Sequence, residues 1–165
     1  MKYKISQSPN LNHRLLIEEA IKNNEGYCCC ALEKTVDTKC MCKEFREMDS
    51  TGFCHCGRFY KTMKAPIITL CGSTKFKEEF IRIQKELTLK GYIVLSVGCF
   101  GHSGDEEVLV EETKKMLDEL HKAKIAMSDG IFVINVDGYI GESTRSEIEW
   151  AEQLFKKIIY LEPIE

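Results

Sequence analysis

The chain lacks a long apolar run, an excess of charge of either sign, and any repeat or low-complexity tract. No stretch approaches the roughly 20 apolar residues that span a bilayer. The first ten residues, Met1 to Asn10, lack the apolar segment of a secretory signal. The expectation is a cytoplasmic protein that does not enter membranes. A net charge of −3 gives no basic footprint for nucleic acid or an anionic lipid surface. Between Tyr27 and Tyr60 aliphatic residues are also scarce. A segment so poor in them buries too little apolar surface to offset its ordering entropy. Bonds to a metal centre are the usual substitute.

Cysteine is abundant, with nine in 165 residues. Seven fall between Cys28 and Cys56, and Cys71 and Cys99 stand alone at strand ends, where they need no role. In a reducing compartment clustered thiols point to metal, cluster or redox work rather than static disulfides. The texture changes near Thr62–Ala65, just before Pro66, which biases Ala65 toward an extended backbone. Two domains are expected, 1–62 and 66–165. In the first, Leu15, Leu16, Glu19, Ala20 and Ile21 predict a short helix, capped by Asn10 or Asn12 and ended near Gly26.

Three C-x-C pairs follow: Cys28-Cys29-Cys30, Cys40-Met41-Cys42 and Cys54-His55-Cys56. Six thiols exceed one four-coordinate site, and four of them suit a [4Fe–4S] cluster with two left for a disulfide. A structural zinc ion is the alternative occupant. The stretch Gly26–Lys61, with its C-x-C, CMCKEFRE and CHCGRFYK segments, resembles the catalytic subunit of ferredoxin–thioredoxin reductase. The resemblance implies that Cys28, Cys40, Cys42 and Cys54 hold the cluster and that Cys30 and Cys56 form the active disulfide. It implies His55 as the proton donor or acceptor beside them. It also implies a ferredoxin-like electron donor and a thioredoxin-like disulfide partner. Cys29 stands where that family has proline, and the chain is shorter than the family's full-length subunits.

The second half alternates strands with helices. Strands are predicted at Ile67–Cys71, Tyr92–Ser96, Gly130–Asn135 and Ile158–Leu161, and helices at Lys75–Lys90, Glu106–Lys124 and Thr144–Lys156. The strands are short continuous apolar runs, as suits a parallel sheet covered on both faces. The fold class expected for the whole chain is α/β, a small cysteine-rich metal-cluster domain followed by an open parallel-sheet, Rossmann-like domain. Its ligand would sit at the carboxyl ends of the strands.

Two segments there carry chemistry. Gly72-Ser73-Thr74 joins the first strand to a helix, where backbone N–H groups favour anions. Thr144-x-x-Glu147 fits a capping box, yet Glu147 shares a helical face with Ala151 and Phe155 and would point into the crevice, where a carboxylate attacks an anomeric carbon. With Ser128-Asp129 and Ala151, these residues resemble the nucleoside 2-deoxyribosyltransferase superfamily, which includes nucleotide N-glycosidases. The resemblance implies Glu147 as nucleophile, a nucleoside or nucleotide substrate held at Gly72, Ser73, Thr74, Asp129, Ser143 and Thr144, and homo-oligomerisation. His121 stands near the place of an acidic residue in that superfamily, with Asp118 a turn earlier, and is read as an acid for base departure or as a helix cap. Asp137, Arg145 and Lys75 default to turn and solvated roles, Trp150 and Phe155 to packing. His102 sits in a glycine-containing loop read as a mobile lid, and those glycines do not form a dinucleotide fingerprint.

The expected function is a fusion of a [4Fe–4S] disulfide reductase-like module with an N-glycosyl hydrolase or transferase. The alternative is a redox-linked nucleotide-binding sensor or adaptor, without turnover, carrying a structural zinc or cluster domain.

Overall fold

The computed structural model describes residues 3–101 and 111–164. The chain divides into two compact units, Met1–Lys64 and Ala65–Glu165. His102 and the first five residues of the helix predicted from Glu106 lie outside the described residues.

The first unit contains a sheet that its sequence does not announce. Strands β1 (Tyr3–Gln7), β2 (Gly52–Phe53) and β3 (Phe59–Met63) form an antiparallel sheet in the order β1-β3-β2. Tyr3 pairs with Met63 and Gln7 with Phe59. Helix α1 (Leu11–Asn23) starts at Asn10, whose side chain accepts a hydrogen bond from His13 N at 3.1 Å, one of the groups a helix start leaves orphaned. A second helix, α2 (Lys43–Glu47), carries Phe45 into the interior, where it is 2% exposed. Lys61 secures it: its ammonium is buried and donates to the carbonyls of Arg46 and Met48, which end that helix. The buried centre consists of Cys28, Phe45, Cys54 and Cys56. Thiols thus stand where aliphatic side chains would in a larger domain.

The second unit is a mixed α/β fold with a four-stranded parallel sheet, order β5-β4-β6-β7, of the Rossmann-like type. Its strands are β4 (Ile67–Gly72), β5 (Ile93–Leu95), β6 (Gly130–Ile134) and β7 (Lys157–Tyr160). Its helices are α3 (Lys77–Leu89), α4 (Glu111–Met127) and α5 (Glu142–Gln153). Strand periodicity of two sorts the core into two layers. Ile68, Leu70 and Ile134 pack with Phe80, Ile83 and Leu87 of α3. Cys71, Ile131 and Val133 face the other way, against Ile125 of α4 and Ala151 of α5. No helix among the described residues is long and apolar enough to cross a membrane.

Two departures from the sequence reading bear on function. Helix α5 begins at Glu142 with Gly141 as its cap, two residues before the predicted start. Thr144 therefore lies inside the first turn, 3% exposed, and the capping box with Glu147 does not form. Asp129 opens β6 at the amino edge of the sheet, where its carboxylate accepts from Ile67 N at 2.8 Å.

Phe80 is fully buried in the α3 layer. Its replacement by alanine is expected to destabilise this unit by about 3–5 kcal/mol, measured by urea unfolding followed at the α/β unit's own transition. A loss below about 1 kcal/mol would contradict the packing described.

Candidate metal centre

The alternation along β4 sends Leu70 toward α3 and the next residue, Cys71, toward α4 and α5. His121 reaches the same point from the second-last turn of α4, and Glu147 from the second turn of α5. Cys71 Sγ lies 3.6 Å from His121 Nε2, and His121 Nε2 lies 3.7 Å from Glu147 Oε1. The three donor atoms all fall within 4.8 Å of one another. Zinc bonds of about 2.3 Å to sulfur and about 2.0 Å to nitrogen, held at a tetrahedral angle, separate those two atoms by about 3.5 Å. The sulfur–nitrogen spacing is thus already that of two ligands on one ion.

Burial sets the electrostatics of the trio. Cys71 is completely buried, and the Glu147 side chain is 15% exposed. Burial pushes the Glu147 carboxyl up to about 8; a hydrogen bond with Cys71 opposes this and the Asp118 charge adds to it. Burial pulls His121 down to about 4, with Lys124 adding to the effect and a hydrogen bond to the Leu70 backbone opposing it. Burial also holds the Cys71 thiol well above its ordinary value. At neutral pH all three groups are therefore uncharged, and the 3.7 Å contact of His121 with Glu147 is not an ion pair. His121 Nε2 faces the other two donors, and the hydrogen bond with the Leu70 backbone helps to orient the imidazole. Glu147 Oε2 is buried and has no hydrogen-bond partner. An orphaned buried acceptor calls for a cause, and a cation at this point supplies one. The donor set fits a single borderline ion such as zinc, with three protein ligands and one further position.

This trio corrects the cofactor expectation. Among the described residues, Cys71, His121 and Glu147 are the group whose donors converge on one ion. They offer one thiol, one imidazole and one carboxylate, whereas a [4Fe–4S] cluster takes four thiolates. The zinc alternative placed its ion among the C-x-C pairs, but the convergent set lies in the other unit. It includes Cys71, which the sequence reading left without a role. Strand alternation was the available signal, since it puts Cys71 on the face opposite Leu70.

The expected cluster ligands Cys28, Cys40, Cys42 and Cys54 line one recess together with Cys56, Met41, Phe45 and Phe59. Arg58 Nη1 lies 3.3 Å from Cys40 Sγ, and the sulfurs of Cys54 and Cys56 are 3.5 Å apart. Cys30 is exposed and, with His55, lines an adjoining recess that shares Cys28 and Cys42 with the first and is bordered by Glu33, Asp37 and Glu44. Cys30 and Cys56 are both free thiols. Desolvation, then the neighbouring Cys29 and Cys28, raises Cys30 to about 11; burial raises Cys56 further. Neither is primed as the thiolate that disulfide exchange requires.

The glycosyl-transfer expectation is corrected on similar grounds. A carboxyl nucleophile must be ionised and a general acid must be protonated. Here Glu147 is held protonated and His121 neutral. Gly72, Ser73 and Thr74 follow Cys71 directly, and Ser143 and Thr144 lie in the first turn of α5. These five sit at the carboxyl ends of β4 and β6, whereas Asp129 lies at the other edge. Gly72 adopts φ +155, and a Cβ there would stand 3.0 Å from Ile134, so the turn after Cys71 depends on glycine.

No known protein family matches the chain, and no curated protein matches it significantly. The iron–sulfur reductase and deoxyribosyltransferase identities give way to a coarser statement. The chain has an α/β fold with a parallel four-stranded sheet that carries a mononuclear Cys–His–Glu donor set.

The buried carboxyl makes metal-free stability depend on pH. An acid whose folded value, about 8, exceeds its ordinary 4.5 stabilises fully below the unfolded value and loses that contribution as pH rises through the folded one. His121 has the opposite sense: its contribution is full above its ordinary 6.5 and is lost as pH falls toward about 4. In chelator-treated protein, Glu147→Gln is expected to flatten the decline in melting temperature between pH 5 and pH 8. An unchanged slope would show that the carboxyl titrates normally.

Proposed function

We propose that the Ala65–Glu165 unit is a nucleotide-binding sensor or adaptor whose ligand site lies beside a single zinc-type ion held by Cys71, His121 and Glu147. The observation that carries this reading is the approach of Cys71 Sγ and Glu147 Oε1 to the same nitrogen of His121, at 3.6 and 3.7 Å. The nucleotide half of the reading is supported by the position of the turn. Open parallel sheets bind ligands outside the carboxyl ends of their strands. Gly72-Ser73-Thr74 and the start of α5 present backbone N–H groups there, the kind of group that receives phosphate. A neutral, desolvated trio suits an ion with a structural or sensing task, because metal entry converts three buried neutral groups into ligands of a cation and releases protons. The occupied site would stabilise the packing of α4 and α5 on the sheet, which links metal status to the ligand turn next to Cys71.

Equilibrium zinc titration against a competing chromophoric chelator tests the reading. One ion per chain is expected, and Cys71→Ser, His121→Ala and Glu147→Gln are each expected to weaken binding at least about 10-fold. Cys99→Ser, outside the trio, is expected to leave it unchanged. Nucleoside mono- and triphosphates are expected to bind more tightly to the zinc-loaded chain, with no product released. Zinc binding that survives all three substitutions would sink the assignment, and turnover of the bound nucleotide would replace the sensor with an enzyme.

A further inference from the structure

A pair of sulfurs meets in the first unit, in the turn between β2 and β3, where Cys54 and Cys56 lie side by side. The two cysteines are separated by a single residue, and the chain reverses tightly between them and Gly57. The turn is fixed at several points. Gly57 N donates to Cys54 O at 2.8 Å, and Cys54 N donates to Phe59 O at 2.9 Å. The His13 ring packs against it, with Nε2 2.9 Å from Cys56 O. Gly57 has φ +71, and a Cβ there would stand 2.8 Å from His13 Nε2, so no other residue fits without moving the ring. The result is a Cys54 Sγ–Cys56 Sγ separation of 3.5 Å, with both residues 7% exposed. A disulfide bond is about 2.05 Å long, so closure asks for a movement of about 1.5 Å, within reach of side-chain rotation.

We propose that Cys54 and Cys56 form a reversible dithiol–disulfide couple whose oxidant is hydrogen peroxide. This inference is independent of the zinc-type site in the α/β unit. Cys54 accepts a hydrogen bond from Phe59 N at 3.2 Å, so negative charge developing on that sulfur is stabilised, and it attacks the peroxide. The O–O bond breaks, the sulfur becomes a sulfenic acid, and the first water leaves. The Cys56 thiol, 3.5 Å away, then attacks the sulfenic sulfur and passes its proton to the departing oxygen, so the S–O bond breaks and a second water leaves. Two thiols lose two electrons and two protons, and one peroxide becomes two waters. A dithiol reductant reverses the bond by exchange. The apolar wall of Met41, Phe45 and Phe59 limits the size of the oxidant, which favours hydrogen peroxide over a bulky disulfide. The pairing also differs from the Cys30–Cys56 bond implied by the reductase resemblance, since the sulfur in contact with Cys56 is that of Cys54.

The sequence makes the test direct. Trypsin cuts after Arg46 and Arg58, so both cysteines fall in one peptide, Glu47–Arg58, while Cys28, Cys29 and Cys30 fall in Asn23–Lys34. The full-length chain is reduced, treated with one equivalent of hydrogen peroxide, blocked with N-ethylmaleimide and mapped by mass spectrometry. The expected result is a Glu47–Arg58 peptide two hydrogens lighter and unlabelled, with full labelling restored by dithiothreitol. Cys54→Ser is expected to leave Cys56 labelled after the same treatment, and Cys29→Ser to leave the wild-type result unchanged. A cross-link joining Glu47–Arg58 to Asn23–Lys34, or to the peptide holding Cys40 and Cys42, would overturn the proposal. So would a doubly labelled Glu47–Arg58 peptide while other cysteines are oxidised.

Discussion

Removal of Cys71, His121 and Glu147 from water governs the chemistry of the α/β unit. Each of these groups is costly to bury in charged form, and the fold meets that cost by keeping all three neutral and in contact. Cys71 is at 0% exposure and His121 at 6%, so solvent offers them little. The carboxyl oxygen Oε2 of Glu147 is left without a partner, and this imbalance is what separates the trio from an ordinary polar cluster in a core. Buried polar groups that are fully satisfied rigidify a fold; one that is not invites a ligand. The same desolvation that makes Glu147 a poor nucleophile makes it a sound metal ligand once a cation replaces its proton.

The two units solve the problem of a small core differently. The α/β unit buries two aliphatic layers, one against each face of its sheet, and its polar trio is an exception within that packing. The first unit has too few aliphatic residues for this, and three of the four residues in its buried cluster are cysteines. A thiol is small and weakly polar, so it packs like an apolar group while retaining reactive chemistry. Lys61 supplies part of the missing stability through two carbonyls at the end of α2, with its ammonium also 5.4 Å from the Phe45 ring centroid. Arg58 plays a related part, bridging the Glu18 carboxylate and the Cys40 sulfur from one guanidinium.

Local pattern and long-range pairing contributed unequally to what could be read in advance. Runs such as Ile67–Leu70 and Ile131–Ile134 identify buried parallel strands because they are apolar throughout except for Thr69, and the helices between them repeat their apolar residues at helical spacing. The strands of the first unit carry no such mark. Tyr3–Gln7 and Phe59–Met63 mix charged, polar and aromatic residues, and their stability comes from pairing across more than fifty residues, which no local window contains. The start of α5 differs from the sequence expectation for a similar reason. Thr144 has the composition of a cap, but burial against the sheet draws it into the first turn, and Gly141 takes the capping position.

The amino-acid order alone determined the alternation of strands and helices from Ile67 onward, the concentration of thiols before Tyr60, and the chemical interest of His121 and Glu147. These follow from periodicity and residue type, which act over a few neighbours. Only the tertiary structure decided that Cys71 belongs with His121 and Glu147, and that Cys56 meets Cys54 rather than Cys30. Contacts between residues 71, 121 and 147 depend on which face of β4 is covered by α4 and α5, and the partner of Cys56 depends on how a turn is pinned by His13. Such choices are made by packing between distant segments, and packing has no signature in the spacing of any one of them.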